Sequence, residues 1–65
     1  MNLYLARYRV DGNTVESKVI RHTHGEKAAQ VMFDELRSEG ESPNETDIEV
    51  TLLLPDGRVG IIEHL

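Results

Sequence analysis

The 65-residue chain is expected to form one domain, and one this short buries only roughly 60% of the surface its unfolded form exposes, so its core is thin. It has no cysteine, which excludes disulfides, and its three histidines are too few to assume a structural zinc, which leaves idealised packing or a homodimer as the supplement to that core. A formal charge of -5 argues against a surface given over wholly to nucleic acid. Residues 1–24 carry Arg7, Arg9, Lys18 and Arg21 against Asp11 and Glu16, whereas residues 25–65 carry three bases against ten acids. The first stretch contains arginines and no long apolar run, so neither a signal peptide nor a membrane span is expected, and the chain reads as soluble and cytoplasmic.

Along Tyr4-Leu5-Ala6-Arg7-Tyr8-Arg9-Val10 the residues alternate, with Tyr4, Ala6, Tyr8 and Val10 on one face and Arg7 and Arg9 on the other, the period of a strand. Asp11-Gly12 follows, the signature of a two-residue type I′ hairpin turn. A regular hairpin about that turn sets Val10 opposite Asn13, Tyr8 opposite Val15, Ala6 opposite Ser17 and Tyr4 opposite Val19 on one side. It sets Arg7 opposite Glu16 and Leu3 opposite Ile20 on the other, each such pair contributing a few tenths to about 1 kcal/mol.

Thr23-His24-Gly25-Glu26 has the spacing of a capping box with Thr23 as N-cap. Between Lys27 and Glu39, Ala28, Ala29, Met32, Phe33 and Leu36 fall on one stripe, Val31 falls off it as an exposed aliphatic or else part of a contact surface, and Gly40 supplies the stop. Residues 41–47 read as a polar loop. Ile48, Val50, Leu52 and Leu54 then alternate with Glu49, Thr51 and Leu53, and Pro55-Asp56-Gly57 makes a second hairpin with residues 59–65.

The expected fold is therefore α+β with the order ββαββ: a four-stranded sheet of two hairpins with one amphipathic helix packed on one face. This element order resembles that of β-grasp domains such as immunoglobulin-binding bacterial modules, which implies parallel pairing of the first and last strands at the sheet centre. A wholly antiparallel order of the same hairpins is the alternative.

On the regular register the uncovered face carries Leu3, Leu5, Ile20, Leu53 and Ile62 beside Arg7 and Lys18. Five aliphatics rimmed by charge suggest an interface, so Leu3, Leu5, Arg7, Lys18, Ile20, Leu53 and Ile62 are the candidate protein-binding residues. The occupant is expected to be a second copy or another protein. Asp34, Glu35, Glu39, Glu41, Glu45 and Asp47 form a candidate acidic surface, suited to a small regulator or phage-type inhibitor that competes for a phosphate-binding site. The alternative is a nucleic-acid face of Arg7, Arg9, Lys18 and His22 on the first hairpin, which lacks a stacking platform because Tyr4 and Tyr8 have the opposite parity.

His22 and His24 are spaced to share one side of an extended strand, but two imidazoles alone make no metal site. The serines lack an elbow or neighbouring base, there is no phosphate-binding loop, and no motif calls for a cofactor. The expectation is a protein without catalytic activity.

Overall fold

A computed structural model describes residues 1–54 and the backbone of residues 59–64. Three antiparallel strands and one helix make a small α+β domain: β1 (Asn2–Val10), β2 (Asn13–His22), α1 (Gly25–Ser38) and β3 (Ile48–Leu53). A single 3-10 turn, Glu45–Asp47, leads into β3. A further strand, β4 (Val59–His64), lies antiparallel on the outer side of β3, so the sheet order is β2-β1-β3-β4. The expected turn at Pro55-Asp56-Gly57 and the side chains of Ile62, Glu63 and His64 lie outside the described residues.

This order decides between the two arrangements that the element sequence allows. β1 pairs with β3 in antiparallel sense, Tyr4 opposite Leu52 and Ala6 opposite Val50, and the last strand lies at an edge. The parallel centre implied by the β-grasp resemblance is therefore absent. Because β2 and β3 both run antiparallel to β1, they are parallel to each other. Such a connection needs a long crossover, and α1 supplies it while passing over β1.

The first turn forms as its residues require. Asp11 has φ 53° and Gly12 φ 82°, both central positions of a type I′ turn being left-handed. Beyond it the ladder departs from the regular register: Arg9 faces Thr14 but Tyr8 faces Glu16, so Val15 is an extra residue. Such a β-bulge shifts everything that follows by one position. Ala6 now faces Lys18, Leu5 faces Val19, Tyr4 faces Ile20 and Leu3 faces Arg21. Two expectations are thereby corrected: Ile20 and Lys18 belong to the helix-covered side, and Val19 and Arg21 to the other. The physical reason is tertiary. The shift puts the large Ile20 side chain into the core and the Lys18 ammonium beside an acid of the helix, while leaving the smaller Val19 on the water side of an edge strand.

The core lies between α1 and one face of the sheet. Tyr4, Ala6, Tyr8, Ile20, Ile48 and Val50 meet Ala28, Ala29, Met32 and Leu36, with Val31, Phe33 and Leu52 packed at its margin. Val31 is thus half-buried against the core, not the exposed aliphatic its position off the stripe implies. Ala28 and Ala29 are almost wholly buried; their small side chains let the helix backbone approach the strands closely enough for Met32 and Leu36 to fill the space on either side.

The helix begins one residue later than its capping motif suggests. His24 occupies the N-cap position in extended conformation and its side chain caps nothing; the Thr23 amide instead donates to His22 Nδ1 at 2.9 Å. Glu26 consequently lies one position too early in the helix for a box with the N-cap, and serves as the acidic residue of the first turn, where the helix dipole favours it. At the other end the expectation is met: Gly40 has φ 91°, its amide donates to the Arg37 carbonyl at 3.1 Å, and Glu41 donates to the Leu36 carbonyl at 3.0 Å. Those two bonds make a Schellman motif.

Candidate interaction surface

The sheet face away from α1 is covered by no other described element. Its residues in register are Leu3, Leu5, Arg7 and Arg9 on β1, Ser17, Val19 and Arg21 on β2, and Glu49, Thr51 and Leu53 on β3. Of the expected interface residues, Leu3, Leu5, Arg7 and Leu53 are brought together here. Lys18 and Ile20 are not, and the side chain of Ile62 lies outside the described residues. The register shift adds Val19, which the regular hairpin places under the helix. The bulge, which no residue motif marks, is what hid it.

The face divides into a polar half and an apolar corner. In the polar half Glu49, directly opposite Arg7, takes both guanidiniums: Arg7 Nη2 lies 3.1 Å from Glu49 Oε1 and Arg9 Nη1 3.6 Å from Oε2. Arg9 also donates to the Gly12 carbonyl at 2.8 Å, and Arg7 makes a long 3.4 Å bond to Thr51 Oγ1. Thr51 is 0% exposed, so the centre of this face is shielded by the protein's own side chains. The Nε groups of Arg7 and Arg9 are buried without an acceptor among the described residues. An orphaned donor of this kind costs about 1–3 kcal/mol, which makes the cluster a constraint on the arginines more than a source of stability.

The apolar corner is different. Leu3 is 42% exposed, Val19 57% and Met1 82%, with Leu5 and Leu53 half-buried beside them. Leu3 faces Leu53 across β3, and Leu5 faces Val19 across β2. At the chain-entry end of β1, Met1, Leu3 and Leu53 line a groove of about 600 Å³ together with Asn2, Arg21, Leu52 and Leu54. Arg21, also exposed, is among the residues that line it.

The alternative nucleic-acid residues do not form one surface. Arg7 and Arg9 are on the open face and share the single carboxylate of Glu49, while Lys18 and His22 point to the helix side. Lys18 Nζ is hydrogen-bonded and ion-paired with Glu35 on α1, and that hydrogen bond raises the lysine's pKa above its usual 10.5. The acidic residues are also partly committed to local structure. Asp34 accepts from Gln30 Nε2 at 2.9 Å, Asp47 accepts from the Asn44 amide at 3.2 Å, and Glu39 is the C-cap residue of α1. Glu41 and Glu45 are exposed.

Among the described residues no helix is long and apolar enough to cross a membrane, and no three histidines or acids are grouped as metal ligands. No protein-family model, curated protein or solved structure matches the chain.

Proposed function

We propose that the chain is a non-enzymatic protein-binding module, a small regulator or inhibitor working in the cytoplasm, that docks another protein on the apolar corner of its open sheet face. The supporting observation is the clustering of Leu3, Leu5, Val19 and Leu53 on a face that no described element covers. Contiguous exposed aliphatics of this kind mark contact surfaces more often than scattered ones do. The proposal takes the sheet as two complete hairpins, with β4 extending the floor beyond β3. The acids Asp34, Glu39, Glu41 and Glu45, on the far side and loop, would then keep the molecule soluble and steer it towards a basic partner.

Titration calorimetry with a partner captured on the wild-type chain tests this. Leu3→Asp and Leu53→Asp are expected to weaken binding by at least about 30-fold, since each puts a carboxylate where an apolar contact must be desolvated. Glu45→Gln, remote from the corner, leaves it within about threefold. Equal affinity of the two aspartate variants and the wild type overturns the proposal.

The nucleic-acid reading has a weaker basis, because Glu49 already occupies the two arginines that would contact phosphate.

A further inference from the structure

β2 is an edge strand with no neighbour among the described residues on its outer side, and it is the longest strand of the sheet, at 10 residues. A long exposed edge is a template for pairing unless it is blunted. Here the bulge at Val15 blunts only the end next to the turn. The regular stretch after it runs from Glu16 to His22, and its midpoint is Val19, an exposed valine.

We infer that a second copy of this chain pairs antiparallel along this edge, with the two-fold axis normal to the sheet at Val19, so that two sheets join into one. The strand is self-complementary in that register. Val19 meets Val19, burying two of the exposed aliphatics against each other and continuing the Leu5–Val19 row across the seam. On the same face Ser17 meets Arg21, a hydroxyl acceptor opposite a guanidinium donor. On the helix face Lys18 meets Ile20, along which its aliphatic stem can lie, and Glu16 meets His22. That last pair has the right polarity: His22 Nδ1 accepts the Thr23 amide, so the neutral ring carries its proton on Nε2 and can donate to a carboxylate. No like charges stand opposite each other anywhere along the seven pairs. A second copy is favoured as occupant because the strand's own residue order sets Glu16 against His22, Ser17 against Arg21 and Val19 against Val19, and because a domain of 65 residues gains most from added burial. The inference does not depend on what docks at the apolar corner.

Sedimentation of the wild-type chain, of Val19→Glu, of Val19→Lys and of an equimolar mixture of the two variants tests it. The wild type is expected to sediment as a concentration-dependent dimer. Each variant alone sets two like charges together at the axis and weakens that dimer by at least about tenfold. The mixture sets glutamate against lysine and recovers it. Because Val19 is largely exposed, both variants keep the wild-type far-ultraviolet circular dichroism, and recovery in the mixture shows independently that both are folded. A wild type that stays monomeric at millimolar concentration overturns the inference, as does a dimer that both variants keep or a mixture that stays monomeric. None of these outcomes bears on the affinity of Leu3→Asp for a captured partner.

Discussion

Tyr4 and Ile20 face each other across β1 and β2, both beneath α1 and exposed by only 6% and 8%. The pair ties an edge strand to the core: Ile20 is the one buried residue of β2, so the strand's attachment to the hydrophobic layer passes through it. Ile20→Ala is expected to lower unfolding free energy by about 2–3 kcal/mol, from lost burial plus the cavity left. Val19→Ala, next along the chain but on the open face, should stay within about 0.5 kcal/mol at concentrations too low for pairing. Urea unfolding of the two variants checks this, and equal losses would contradict the register.

Deleting Val15 should be tolerated. Its removal leaves Arg9 opposite Thr14 and Tyr8 opposite Glu16 with no extra residue between them, and every later pair unchanged. The expected change in stability is within about 1 kcal/mol of wild type, since the bulge alone is lost. A deletion variant that fails to fold would show that the bulge itself, and not only the register it sets, holds the hairpin.

The helix end gives a sharper backbone test. Gly40 sits at φ 91° with no atom near the place a Cβ would take, so Gly40→Ala meets a conformational penalty and no clash. About 1 kcal/mol of destabilisation is expected, read as a lower midpoint in thermal unfolding. An unchanged midpoint would mean that the left-handed residue is not required there.

Glu49 holds Arg7 and Arg9 together with a side chain only 15% exposed. Glu49→Ala should destabilise by about 1–2 kcal/mol, because partly buried guanidiniums lose their acceptor. It should also confer weak binding to a polyanion at low salt that disappears as salt rises. Gel shift against duplex DNA for wild type and variant reads the second effect; a wild-type chain that already shifts as well as Glu49→Ala would revive the nucleic-acid reading.

The Lys18 to Glu35 contact raises the lysine pKa. A group whose folded pKa lies above its unfolded value stabilises the fold fully below the unfolded pKa, here 10.5, and loses that contribution as pH rises through the folded value. The stability difference between wild type and Lys18→Met should therefore be constant from neutral pH to about pH 10 and shrink above it. A difference that persists at the highest pH would assign it to the lysine stem and not to its charge.

Local events follow from short runs of residues alone. Asp11-Gly12 specified a turn because two successive left-handed residues are needed there. The stripe Ala28, Ala29, Met32, Leu36 specified the buried side of α1, and Gly40 its end. Alternation in β1 and β3 sorted Tyr4, Ala6, Tyr8, Ile48 and Val50 correctly to the core. Packing between elements distant in the chain sets the rest: that β1 pairs with β3 in antiparallel sense, and that Val15 bulges so that Ile20 turns inward and Val19 outward. A bulge adds one unpaired residue at small local cost, so nothing in residues 13–22 need announce it. The helix above the strand selects it, because only one parity of β2 puts Ile20 against Tyr4 and Lys18 within reach of Glu35. The composition of the open face, and with it the candidate surface, follows from that choice.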